Sequence, residues 1–126
     1  MEIKQYNGKH KATFYIQCKG LHSGRPLQQP IPNCFSIFTD QQNSFELAYA
    51  AYISKSYNPF IGGSVVPFIR IADCKKVLGS FINILDANVE SNLKRIEAID
   101  KQIRNVQKQS ELLNQMKIAI SMNLRK

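Results

Sequence analysis

The sequence predicts an α+β fold: a small mixed sheet with one packed helix, followed by a long C-terminal coiled-coil helix. Three observations carry this. All five prolines and all six glycines lie at or before Gly79, so 81–126 contains no helix breaker. Six of the seven phenylalanines and all five tyrosines also lie before residue 80. The tail repeats apolar residues every three to four positions, whereas the first part alternates between strand-like and helix-like patterns. Two parts are therefore expected, a compact basic α+β domain over 1–80 and a helix over 81–126.

The elements follow in order. Residues 2–6 and 11–18 read as a hairpin closed by Asn7-Gly8, a pair suited to the positive φ angles of a tight turn. In the second strand Ala12, Phe14, Ile16 and Cys18 alternate with Thr13, Tyr15 and Gln17, which predicts one buried face. A loop from Gly20 to Leu27 leads through a proline-bounded stretch to a short apolar strand at 33–38. Asp40 or Asn43 caps a helix running to about Ser56, with Phe45, Ala48, Tyr49, Tyr52 and Ile53 along one face. Asn58-Pro59 ends it, because the residue before proline avoids the helical region. Gly62-Gly63 turns into a β-branched strand at 64–71. Pro67 lacks a ladder donor, so this strand should be an edge or bulged one. Asp73 caps a short helical turn over 74–78.

Heptads counted from Val89 place Val89, Ile96, Ile103, Ser110, Lys117 and Leu124 at a. Asn92, Ile99, Val106, Leu113 and Ile120 fall at d, and the register extends back through Leu85 and Ile82. Eight of the eleven positions from Val89 onward are apolar, a coiled-coil signature. A helix over 82–124 would be about 65 Å long at ~1.5 Å per residue. No second helix of that length accompanies it, so a homodimer paired through Val89, Ile96, Ile99, Ile103, Val106, Leu113 and Ile120 is expected. A helix folded back over its own domain is the alternative.

Charge sets the expected ligand class. Seventeen lysines and arginines oppose nine acids, a net charge of +8 over 126 residues. Lys9, Lys11, Lys19, Arg25, Arg70, Lys75 and Lys76 are the candidate contacts to nucleic-acid phosphates, with Tyr15, Tyr49, Tyr52 and Tyr57 interleaved. Arg25 stands out because the loop Ser23-Gly24-Arg25-Pro26 holds its fork open. A solvated basic surface explains the same residues without a partner.

Catalytic constellations are missing from the pattern. There is no P-loop, no dinucleotide fingerprint and no His-Glu-x-x-His. Cys18, His22 and Cys34 with Cys74 or His10 lack the second short pair of a zinc site, and small buried side chains explain the cysteines better. His22 has no neighbour to orient it as a base. Asp40, Glu46 and Asp73 are explained by helix starts. No enzyme activity, cofactor or metal is expected. No apolar run approaches the ~18 residues of a membrane span, and no secretory signal opens the chain. Three scattered cysteines suit a reducing cytoplasm.

Two resemblances add to this reading. Phe45-Glu-Leu-Ala-Tyr-Ala-Ala-Tyr-Ile-Ser54, the turn Gly62-Gly63-Ser64, Pro67-Phe-Ile-Arg-Ile71 and Asp73-Cys-Lys-Lys-Val77 precede the long helix. That helix carries Ile96-Glu-Ala-Ile-Asp100 and a Leu-Leu-x-x-x-Lys stretch at Leu112, Leu113 and Lys117. This order resembles the distal end of a recognition domain plus the conserved helix of type I restriction-modification specificity subunits. The resemblance implies a spacer helix paired with its counterpart, duplex DNA as ligand and docking to methyltransferase subunits. The family's Pro-Leu-Pro-Pro segment is replaced here by Leu78-Gly-Ser-Phe-Ile82. The second resemblance spans nearly the whole chain, through Lys19-Gly-Leu-His-Ser-Gly-Arg-Pro-Leu27, Pro32-Asn-Cys-Phe35 and Gly63-Ser-Val-Val-Pro-Phe-Ile-Arg-Ile71. These look like a small uncharacterised family of bacterial mobile elements, which implies no activity. The two functional expectations are a DNA-associated dimer resembling half a specificity subunit, and a protein-interaction module, decoy or accessory subunit, that binds no DNA.

Overall fold

The computed structural model describes residues 1–84 and 88–125. The chain separates into two compact units, Met1–Asp86 and Ala87–Lys126, and the fold is α+β. In the first unit the strands are β1 (Glu2–Gln5), β2 (Phe14–Gln17), β3 (Pro26–Leu27) and β4 (Cys34–Phe38). Helices α1 (Ser44–Ile53) and α2 (Ile71–Ile82) follow, with one 3-10 turn at Asn58–Phe60 between them. The second unit is helix α3 (Val89–Asn123).

The sheet is antiparallel throughout, in the order β1-β4-β2-β3. This overturns the expected hairpin of the first two strands. Gly8 does take a positive φ of 84°, and the Asn7 side chain accepts a hydrogen bond from the Lys9 amide at 3.0 Å. The turn nevertheless serves a crossover. Tyr6 donates its amide to Cys34 at one end of β4, and Thr13 donates to Ile37 near the other. Residues 6–13 thus run back along β4, which pairs on one edge with β1 and on the other with β2. The apolar β4 satisfies two neighbours, whereas a β1–β2 hairpin would satisfy only one edge of each strand.

Pairing and side-chain alternation sort the faces. Ile3, Phe14, Ile16, Phe35 and Ile37 share the face that builds the core, with Ile16 and Ile37 fully buried. Leu47, Ala48 and Ala51 from α1 and Cys74, Val77, Leu78 and Ile82 from α2 complete it. Tyr15, Gln17, Cys34 and Ser36 lie on the other face. Tyr15 and Ser36 are buried there as well, because the crossover covers them. The expected alternation in β2 therefore fails at Tyr15.

The inward face of α1 is also turned from expectation. Ser44, Leu47, Ala48 and Ala51 are buried, whereas Tyr49 and Tyr52 are half-buried and Ile53 is exposed. Helix α1 packs against α2, and its buried stripe is made of small and aliphatic side chains, with the larger tyrosines at its margin. Phe45 still reaches the core edge, its ring 5.7 Å from that of Phe14. Asn43 is the N-cap residue, but its side chain makes no capping bond.

The strand expected over 64–71 is absent. Gly62 and Phe68 exchange two backbone hydrogen bonds of 3.0 Å each, closing a small loop with Val65 at its exposed tip. Gly63 permits the closure: its φ is 97°, and an added Cβ would lie 2.2 Å from the Val66 carbonyl oxygen. Beyond Pro67 the Lys19–Phe68 bridge and the Ile69 amide to Cys18 hold the chain beside the segment that follows β2. Helix α2 then starts at Ile71, with Arg70 as N-cap and Asp73 in the first turn, where its charge suits the helix dipole. It is 12 residues long, not the expected short turn, and it absorbs Ile82. The helical run is thus broken before Asn88, and Leu85 lies outside the described residues.

Candidate binding surfaces

The first candidate surface is built by the crossover. Tyr6 packs edge-on against His10 and Tyr15, at centroid distances of 5.8 and 5.6 Å. His10 Nε2 lies 2.7 Å from the buried Ser36 hydroxyl. The Tyr15 hydroxyl accepts the Ala12 amide at 3.1 Å. These contacts pin the loop to the outer face of the sheet and leave a cleft of about 520 Å³. Lys9 and Lys11 line it together with Gln28, Gln29 and Pro30. Two ammonium groups and two amides make it a polar site suited to an anion.

Lys19 and Arg70 line a second cleft of about 480 Å³, with Gln5, Asn33 and Phe68. The Lys19–Phe68 bridge sets their spacing. Lys75 and Lys76 sit in α2, where the Lys76 ammonium lies 5.4 Å from the centre of the Phe60 ring. All six of these lysines and arginines are exposed.

Arg25 is the exception. Its fork is not held open: Nη2 donates to Gln17 Oε1 at 3.0 Å, and Nε is buried with no protein acceptor. Backbone bonds from Gln17 to Arg25 and from Gly24 to Gln17 tie this turn to β2. Gly24 has a φ of 100° and lies flat on Tyr57, where an added Cβ would be 2.6 Å from the ring. The glycine-flanked loop is therefore a packing device over a buried tyrosine.

Tyr57 is consequently no ligand-facing aromatic. Its hydroxyl is buried beside the Cys74 thiol without a hydrogen-bond partner. Burial pushes the phenol up, and the neighbouring Cys74 adds to this. Burial likewise pushes the Cys74 thiol up to about 12. Cys18 and Cys34 are also raised by burial, so none of the three thiols is an activated nucleophile. His22 is exposed, with Nδ1 at 3.2 Å from the Tyr52 hydroxyl. Among the described residues no group of three His, Cys, Asp or Glu is placed to hold a metal, and no helix is long and apolar enough to cross a membrane.

The third surface belongs to α3. Its 35 residues include no buried side chain, over a length of about 52 Å. Along the heptad seam Ile99, Ile103, Val106, Leu113 and Ile120 are between 47% and 65% exposed. Val89 and Ile96 are half-buried. Leu112, Ile118 and Met122 are exposed apolar residues off the seam.

A family of unknown function, DUF6943, matches residues 3–123. The chain belongs to that family. The match spans the crossover, both clefts and nearly all of α3, so both units lie within the family's matched region. No curated protein and no solved structure matches the chain.

The crossover cleft escaped the sequence reading in part. Lys9, Lys11 and Tyr15 were legible as candidates, but Tyr6, His10, Gln28 and Gln29 were not. They meet only because β4, from later in the chain, separates β1 from β2. No local pattern carries that information.

Proposed function

We propose that this DUF6943 chain is a non-enzymatic, DNA-associated binding protein that pairs through α3, in the manner of half a type I restriction specificity subunit. The exposed apolar seam of α3 carries this reading, since an amphipathic helix of this length needs a covering partner in water. The net charge of +8 supports a phosphate ligand. So does the exposure of Lys9, Lys11, Lys19, Arg70, Lys75 and Lys76. Arg25 contributes to the shape of its turn and is dropped from the contact set. Binding to labelled duplex DNA across a salt series tests the proposal, with light scattering on the same sample reporting mass. Six phosphate contacts from each chain, twelve in the pair, give a log–log salt slope of about −11, and a single engaged chain about −5. A slope near zero rejects DNA as the ligand.

A protein-interaction module is the second reading. Leu112, Ile118 and Met122 favour it, because they widen the apolar surface beyond a two-helix seam. A restriction-modification subunit is then the expected class of partner. Absence of DNA binding at low salt, together with a stable complex with such a subunit, selects this reading.

A further inference from the structure

We propose that the occupant of the α3 seam is a second copy of this chain lying antiparallel, in the register that sets Ile103 opposite the partner's Val106. This rests on the pairing through α3 proposed above. Three polar residues interrupt the seam: Asn92, Ser110 and Lys117. Their placement decides the direction.

In a parallel, in-register pair every seam residue meets its own copy. Lys117 would then face the partner's Lys117, with two ammonium groups across one layer. The compensation is a rim contact between Arg95 and the partner's Asp100. Rim pairs of this kind contribute little, so it does not offset like charges set inside the seam.

In an antiparallel pair, a positions meet d positions of the other helix. One register matches the whole of 89–120. Val89 meets the partner's Ile120, and Ile96 meets the partner's Leu113. Ile103 meets the partner's Val106, and Ile99 meets the partner's Ser110. Lys117 then faces the partner's Asn92, whose side-chain carbonyl accepts an ammonium hydrogen bond. The two most polar interruptions thus satisfy each other twice by symmetry. The flanking positions agree. Gln102 lies beside the partner's Gln109, Asp100 beside the partner's Gln107 and Arg95 beside the partner's Met116, so no like charges meet.

Slipping by one heptad mismatches the seam or shortens it. In one direction Lys117 falls against the partner's Ile99. In the other, Lys117 and Ile120 run past the start of the partner's α3 at Val89. Among these heptad registers the proposed one alone keeps the whole of 89–120 paired.

Asn92→Glu in the full chain tests this. Asn92 is exposed in the single chain, and glutamate is a good helix former, so the variant keeps α3 intact. The antiparallel register creates two ion pairs to Lys117, and the dimer dissociation constant should fall about tenfold at low salt. That gain should vanish at high salt. Zero-length carbodiimide coupling should join Glu at position 92 to Lys117. On one helix these positions are roughly 37 Å apart at ~1.5 Å per residue, so the bond can only be intermolecular. A dimer that weakens, or that couples no such pair, overturns the register while leaving pairing through α3 standing. A mass above two chains overturns the two-helix arrangement. A monomer at every concentration overturns the pairing itself.

Discussion

Replacing Ile99 and Ile103 together by aspartate should convert the pair into monomers while leaving the compact unit folded. These side chains are 59% and 47% exposed in the single chain, so roughly half of their burial remains to be gained on pairing. Full burial of an isoleucine contributes about 1.5–3 kcal/mol. Half of that, over the four copies in a dimer, is about 3–6 kcal/mol. Four carboxylates brought into the middle of the seam add a further desolvation cost. The loss is at least about 3 kcal/mol, which weakens the dissociation constant more than a hundredfold. Sedimentation across a concentration series reads the mass. Tyrosine fluorescence reads the compact unit separately, because all five tyrosines lie between Tyr6 and Tyr57 and the chain has no tryptophan. Persistence of a dimer would refute the seam as the interface. Loss of the native tyrosine signal would refute the independence of the two units.

Other substitutions probe the compact unit. Gly24→Ala should destabilise it by about 2–3 kcal/mol in urea unfolding, because the residue combines a positive φ with contact to the Tyr57 ring. Tyr57→Phe should leave stability unchanged or raise it by up to ~1 kcal/mol, since the lost hydroxyl is buried without a partner. The Cys74 thiol ionises near 9 when unfolded and near 12 when folded. Its contribution is therefore intact below pH 9 and disappears as pH rises toward 12, at up to about 1.4 kcal/mol per pH unit. Cys74→Ala should flatten that alkaline loss in urea melts recorded at a series of pH values. Lys9→Gln with Lys11→Gln should reduce the magnitude of the DNA salt slope by about 2 for each engaged chain, about 4 for the pair, if the crossover cleft holds phosphate.

Local chemistry made much of the fold legible. Alternation marked β2 and apolarity marked β4, whereas α1 ends at Ile53, short of the expected Ser56, and Asn58-Pro59 opens the 3-10 turn instead of stopping the helix. The heptads marked α3. What escaped depends on partners distant in sequence. Asn7-Gly8 is a sound turn, but its use in a crossover depends on β4 inserting between β1 and β2. The spacing of Phe45, Tyr49, Tyr52 and Ile53 is helical. The buried stripe is instead Ser44, Leu47, Ala48 and Ala51, on the helix that packs against α2. Pro67 announced an irregular strand, yet the mutual bonds of Gly62 and Phe68 removed the strand altogether. The basic residues were all visible. That Lys9 pairs with Lys11 in one cleft and Lys19 with Arg70 in another was not.

The interleaved strand order has a consequence for how the chain is made. On the ribosome, β1 and β2 emerge early but have no common edge to share. Only the short β2–β3 turn can close from the first thirty residues. The remaining ladders wait for Cys34–Phe38, and the core waits further for α1 and α2. Until then Phe14, Tyr15 and Ile16 form an unsheltered apolar run in the nascent chain. Such nonlocal pairing slows folding and extends the interval in which that run is open to a chaperone or to another nascent copy. Acquisition of structure during synthesis should therefore be late and abrupt, set by the release of α2 rather than by the appearance of the first strands.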